Sequence, residues 1–563
     1  MIRKNMHYNF SYNNPHSHFI NIELTIGTES KDTITLHLPS WRPGRYEIAN
    51  FAKNILNVAA EGDKRNRLDC EKTSKDSWEV ICKGEKNVKI NYQYFAFTMD
   101  AGNSWLDEEQ LYLNFINCAM YAEGYQETAC TISLEVPEDY SCATGLKQIT
   151  KHEFKAASYY QLVDSPLIAS NSLRKVTYRQ NSTNFNLWIQ GDIPKTDEEL
   201  IHDFERFTKT QVAAMGDFPC ADYHFLFQCL PYTHYHGVEH FNSTTISIGP
   251  SSELAERPRY KKLLGVSCHE LFHTWNVIRL RPVEMVPYDF KNENYHKTGF
   301  ITEGVTTYYG DLFLAQSGVF SLNEYLEELN GLLKRHYDND GRKNMSVAAS
   351  SYDLWLDGYQ KGIPGRKVSI YNEGALAALI LDLTIRLKWD HEKSLDNVMR
   401  LMWTEHGKNF SGYTAQDYQD VAEMVHGESL QEYFDDFIFG TTPFEKSLKP
   451  LFEACGMSFE LCESHKPSER NFGFRLINNS ISQIAPDSPA ERVLSLQDEI
   501  LKVNGEEFTA GSNFDGTISL EVNRFSRIKS INLRASEKQH FSTYQVKLSQ
   551  ETRNDNLIKW LHL

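Results

Sequence analysis

The chain has 563 residues, 41% of them apolar, and a formal net charge of −17. That length suggests three or four domains, each able to bury a core. The charge excludes a nucleic-acid binder, which needs basic surface, and no uninterrupted apolar run of about 18 residues marks a membrane span. The ten cysteines form no CxxC pair and the N-terminus is polar and aromatic, without an apolar leader. Reduced thiols and a cytoplasmic location are expected.

Residues 1–170 alternate apolar and polar side chains in HFINIELTI, TITLHLP, SWEVIC, NVKINYQYFAF and TISLEVP. Period-two alternation between Gly-, Asp-, Asn- and Pro-rich turns predicts strands, here a β-sandwich-like domain. Residues 171–464 begin with strand-like YHFLFQCL and STTISIGP and continue in helical patterns. These are RYKKLLGVSCHELFHTWNVI, TEGVTTYYGDLFLAQ, SLNEYLEELNGLLKRHY, NEGALAALILDLTIRLKW and LQEYFDDFIFG. Their apolar positions recur every three or four residues, so this domain is mostly helical. Short strands return in residues 465–551, a small β-rich domain, and residues 552–563 remain as a C-terminal tail. The expected fold class is multidomain α+β.

The chemistry concentrates in His269-Glu270-Leu271-Phe272-His273. Positions i and i+4 share one helix face, so both imidazoles can grip one ion while Glu270 reaches a metal-bound water. Leu264, Cys268, Leu271, Phe272 and Trp275 form an apolar stripe roughly opposite. Catalytic zinc usually takes three protein ligands. Glu303, at the start of a second helix and 29 residues beyond His273, is the candidate third. A carboxylate favoured by a helix N-terminus is the alternative reading of Glu303. His234, His236 and His240 fit no tight ligand set and read as strand or loop residues lining a cleft. Arg279 and Arg281 read as structural, and Cys268 as a small buried core residue.

LPSWRPGRYEIANFAKN (38–54), HELFHTWNVIRLRP (269–282), TEGVTTYYGDL (302–312), YNEGALAALILDL (371–383) and GTTPF (440–444) together resemble the glycyl aminopeptidase family of zinc peptidases. The resemblance covers nearly the whole chain. It implies a β-rich N-terminal domain, a thermolysin-like catalytic domain and a C-terminal PDZ domain. It also implies one zinc per chain on His269, His273 and Glu303, with Glu270 as base. Tyr371 matches a tyrosine that stabilises the tetrahedral intermediate in related aminopeptidases. Gly237 and Glu239, in HGVEHFNS, resemble the exopeptidase signature in which a glutamate binds the substrate's α-amine. Here His240 stands in place of the asparagine of its best-known version. Thr307 stands where related enzymes carry an acidic residue behind the ligands. DEILKVNG (498–505) resembles a PDZ signature, with Gln497 in place of the usual glycine.

The expected function is a zinc aminopeptidase acting on peptides with a free N-terminus, and the resemblance implies small first residues, glycine or alanine. A zinc endopeptidase on the same site, or a non-catalytic scaffold binding peptides through the PDZ-like domain, are the alternatives. Neither nucleic acid nor membrane is an expected partner.

Overall fold

The computed structural model describes residues 6–360, 362–509, 511–549 and 554–563. It is a multidomain α+β assembly with a β-rich N-terminal layer and a helical middle. In the N-terminal layer, an eight-stranded sheet carries Met6–Ser11, Phe19–Gly27 and Asn87–Phe95 near its centre, and two four-stranded sheets lie beside it. The alternation read from the sequence is the cause. Along Phe19–Gly27, Ile20, Ile22, Leu24 and Ile26 are buried and the side chains between them are half-exposed.

The middle opens on a five-stranded sheet with Asp222–Cys229 and Ser243–Gly249 running parallel and His234–Glu239 as the edge strand. Helix Asp197–Met215 starts in a capping box between Thr196 and Glu199. The motif helix Arg257–Phe272 lies against the edge strand, because Gly237 has no Cβ. A Cβ there would meet the Glu270 carboxylate and come within 2.7 Å of the Val266 side chain. Helix Ile370–Lys388 is sheathed almost completely by its neighbours. All five residues of the predicted apolar stripe are buried.

The N-terminal layer enters the helical core through one loop. Trp41 and Tyr46 are buried in the middle domain's own hydrophobic cluster. Trp41 donates its indole N–H to the Asp289 carbonyl at 2.7 Å, and Ser40 N–H bonds the Phe290 carbonyl.

Two expectations need correction at the C-terminus. The tail contains a helix, Asp555–Leu561, whose Trp560 and Leu561 are fully buried in the main cluster. Trp560 donates to the Tyr308 hydroxyl and its carbonyl accepts from the Gln316 amide. Strand Thr543–Leu548, read as part of the β-rich domain, pairs with Met457–Cys462 and buries Val546 in that same cluster. What stands apart is the sheet built from Phe474–Ile477 through Arg527–Arg534, with its own small core. Its edge strand Phe474–Ile477 meets the middle domain through Arg475, which donates to Asp338 at 2.6 Å. Among the described residues no helix lies between Val503 and Thr517. Gln497 has φ +69°, the left-handed backbone that a glycine would adopt at less cost.

All ten cysteines are free. No described helix is long and apolar enough to cross a membrane.

Candidate metal centre

His269 is in the last turn of the motif helix, and His273 caps it in helical geometry with its N–H bonded to the His269 carbonyl. Their Nε2 atoms are 3.0 Å apart. Glu303 Oε2 lies 3.6 Å from His269 Nε2 and 3.4 Å from His273 Nε2. Tetrahedral zinc with bonds of 2.0–2.1 Å requires ligand atoms about 3.3 Å apart, so the donor set and its spacing fit that ion.

Glu303 does not begin an α-helix. It sits inside a wide π-turn, Phe300–Val305, that runs on into helix Thr306–Gln316. Such turns are frequent at functional sites. Asn276, just past the motif helix, fixes it in place. The Asn276 amide donates to the Ile301 carbonyl at 2.8 Å and to the Thr306 hydroxyl at 2.9 Å. The Asn276 carbonyl faces His273 Nδ1 at 3.0 Å. That bond puts a proton on Nδ1 and leaves Nε2 facing Glu303, the nitrogen that would give up its own proton to hold an ion. Asn276 is thus the residue placed to orient His273, while the Thr307 hydroxyl is buried without a bond.

Two further carboxylates face the same point. Ligand atoms of Glu239, Glu270 and His273 lie within 4.8 Å of one another. Glu270 Oε2 and Glu239 Oε1 are buried without hydrogen-bond partners. Burial raises the Glu270 carboxyl well above its usual range, against the opposing pull of His273. Burial also raises Glu239, again with His273 opposing. Burial would push His273 down, yet Glu303 and Glu239 overcome it and hold the imidazole up at about 10. Burial would raise Glu303, yet His273 and His269 bring it down to about 2. Three carboxylates around two imidazoles thus call for positive charge, which a cation supplies more fully than one proton.

Tyr371 stands at the start of helix Ile370–Lys388, half-buried, its ring 6.4 Å from that of His269. Gly374 on this helix packs against Gly304 of the π-turn; a Cβ on Gly374 would lie 2.7 Å from Gly304 Cα. The glycine pair brings Tyr371 close to Glu303. Burial raises the Tyr371 phenol well above its ordinary value, and the Glu303 charge adds to that.

The three histidines near the edge strand do not gather on an ion. Arg42 contacts His236 Nε2 at 3.2 Å, and His240 Nδ1 faces Asp164 at 3.0 Å. Arg279 donates to the Phe241 and Thr274 carbonyls rather than to any carboxylate. The sequence reading missed the part played by the N-terminal loop. Gly44, at φ +77°, lies so close to Glu239 that a Cβ would meet Oε2 at 2.6 Å. Tyr46 feels both Glu303 and Glu239 after its own burial. The segment 38–54 is legible as a pattern, but nothing local in it reveals a contact with residues some 200 positions away.

Comparison with known proteins agrees with this architecture. Residues 7–171 match the Peptidase M61 N-terminal domain, and residues 262–377 match the M61 glycyl aminopeptidase family. A sequence search of curated proteins returned no match. The crystal structure of an aminopeptidase N family protein from Idiomarina loihiensis is similar with a TM-score of 0.91 at 26% identity, over 99% of this chain and 100% of that one. An M1 zinc metallopeptidase from Deinococcus radiodurans gives a TM-score of 0.49 at 13% identity, over 78% of this chain and 94% of that one. The chain thus matches M61 models over its N-terminal and catalytic segments and is a metallopeptidase.

Proposed function

We propose that the protein is a zinc aminopeptidase, holding one Zn²⁺ on His269, His273 and Glu303. The observation that carries this reading is the convergence of those three donor sets, within 4.8 Å of one another, beside two further buried carboxylates. When bound, zinc supplies a Lewis acid that polarises the scissile carbonyl and lowers the pKa of its water to about 7. Glu270 takes the proton of the attacking water and delivers it to the leaving amine. Its Oε2, buried without a hydrogen-bond partner, is free to take up that proton. Tyr371 donates a hydrogen bond to the developing oxyanion. Glu239 accepts the substrate's α-ammonium, and its unpartnered Oε1 supports that role. Gly237 gives the edge strand room to lie along the motif helix. The preference for glycine or alanine rests on the family resemblance alone.

We read the C-terminal sheet as PDZ-like in its strands and as a docked module in its role. Support comes from the Arg475–Asp338 pair, which ties its edge strand to the middle domain.

The decisive experiment follows cleavage of one peptide, free and N-acetylated, with and without chelator. Activity should need both metal and free amine, and bound zinc should be near equimolar. Glu270→Gln should keep zinc and lose on the order of 10³-fold or more in kcat. His273→Ala should lose both metal and activity. Tyr371→Phe should lose on the order of 10²-fold, mainly in kcat. Glu239→Gln should keep zinc while narrowing the gap between free and acetylated substrates. Efficient internal cleavage of the acetylated peptide by the wild type would overturn the aminopeptidase reading in favour of an endopeptidase.

A further inference from the structure

One cavity of the helical middle, about 540 Å³ in volume, is ringed by cations although the chain is strongly acidic. Arg206 and Lys209 reach it from helix Asp197–Met215, on the face they share with Thr210 and Ala213. Arg400 reaches it from helix Leu395–Met402. The end of helix Thr306–Gln316 and His562, just past the C-terminal helix, complete the wall. None of His269, Glu270, His273 and Glu303 lines it. Roughly 20 Å of helix separates Gln316 on this wall from Glu303.

The cations here stand without carboxylates. Among the described residues, no acidic side chain pairs with Arg206, Lys209 or Arg400. Arg206 meets the His202 imidazole at 3.4 Å, and Arg400 donates Nε to the Ala214 carbonyl at 2.9 Å. Gly318, at φ +68°, makes room for the Arg206 guanidinium, because a Cβ there would collide with Nη2. The one carboxylate on the wall, Asp396, is offset from inside the protein. It accepts from the Tyr309 hydroxyl at 2.8 Å. Arg386 Nη2 stands 4.0 Å from it, buried without a hydrogen-bond partner. Burial and the Arg386 charge lower the His562 imidazole, so at neutral pH it enters as an uncharged ring. The cavity therefore keeps an excess of positive charge in a protein of net charge −17. Like charges gathered round open space repel, and an anion between them relieves that repulsion.

We propose that this cavity binds a small anion carrying two phosphate groups on a polar, non-aromatic frame, such as a sugar bisphosphate. Guanidinium groups meet phosphate oxygens through paired hydrogen bonds, and a lysine adds a point charge. Cations on two separate helices suit two phosphates better than one. The volume also exceeds what a single phosphate fills. No Phe, Tyr or Trp lines the cavity, so a nucleobase would find no ring to stack on. The Thr210 and Ser317 hydroxyls donate to carbonyls of their own chain segments and can still accept from a sugar hydroxyl. The site is independent of the peptidase reading.

The test titrates fructose bisphosphate into the full-length zinc-loaded protein by calorimetry, at about 0.15 M salt. One site per chain is expected, with a Kd on the order of 10⁻⁵–10⁻⁴ M. Fructose monophosphate should bind about tenfold or more weakly, and fructose itself should not bind. Lys209→Gln, at an exposed position, and Arg206→Gln should each weaken the bisphosphate about tenfold. Zinc content and peptide kcat/KM should stay at wild-type values in both. Lys209→Gln carries the test even if Arg206→Gln does not fold. Absence of both binding heat and a rise in melting temperature up to about 5 mM bisphosphate overturns the proposal. Unchanged affinity in Lys209→Gln overturns it too, since the ligand would then sit elsewhere. Equal affinity for monophosphate and bisphosphate overturns the two-phosphate ligand.

Discussion

The two β-rich ends of this chain differ in what they give to the helical middle. The N-terminal layer sends Trp41 and Tyr46 into the main core and sets Gly44 against the Glu239 carboxylate. The C-terminal sheet keeps its own core and touches the middle through Arg475 and Gln483, both on Asp338. One end builds the wall of a reaction site, and the other is attached like an accessory. The strands look alike in sequence; the difference lies in which loop penetrates a neighbour.

The sharpest test uses two cuts at the C-terminal end. Ending the chain at residue 464 removes Val546, Trp560 and Leu561 from the main core. Loss of one buried tryptophan alone costs about 3–5 kcal/mol, and whole-domain stability is only about 5–15. Insoluble protein is expected. Replacing residues 463–542 by a short turn is different, because Cys462 and Thr543 are direct strand partners. That excision should leave soluble, metal-binding protein with kcat/KM within about threefold of wild type. If the excision also abolishes metal binding, the accessory view of the sheet is wrong.

The complementary test is at the other end. Gly44→Val puts a branched side chain where φ is positive and where a Cβ already meets Glu239. Free-amine substrates should lose on the order of 10²-fold in kcat/KM, with zinc content unchanged. Wild-type kinetics in this variant would place the N-terminal loop outside the site.

Acid should weaken the N-terminal seam next. His296 packs under Tyr46, with ring centroids 5.4 Å apart, and burial drops its pKa to about 4 from 6.5. The unfolded chain takes up this proton first as pH falls, so the stability tied to the neutral ring is complete above pH 6.5. It declines toward pH 4, by about 2 kcal/mol between pH 7.5 and 5. Urea titrations at both pH values should show this slope, and His296→Gln should flatten it.

The smallest effect on catalysis belongs to Arg475→Ala. Its pairing with Asp338 and Glu469 is largely buried, with side chains 10–22% exposed, so stability should fall by about 1–3 kcal/mol while kcat should not change.

The sequence made some of this legible and concealed the rest for physical reasons. His269, Glu270 and His273 declare themselves because one helix turn fixes their spacing. Glu303 was found by type and distance, but its π-turn was not, since a wide turn leaves no mark in apolar periodicity. Asn276 passed as one letter in a recognised run; its three bonds exist only once the Phe300–Val305 turn folds beside it. Helix Asp555–Leu561 reads as a tail in the sequence because seven residues give too short a period. Strand Thr543–Leu548 looked local, but its partner lies about 80 positions earlier.

The bonds of Asn276 have one more consequence, for the life of the protein before it meets its ion. They tie the end of the motif helix to the Glu303 turn through protein groups alone, so the ligand cage is expected to assemble by folding ahead of the ion. Zinc uptake then resembles a ligand entering a finished receptor, unlike small zinc modules whose chains stay unfolded until the ion arrives. A chelated preparation should keep its circular dichroism and regain activity on adding zinc without a refolding lag. The ion should raise the melting temperature in proportion to the logarithm of its free concentration, as simple mass action requires.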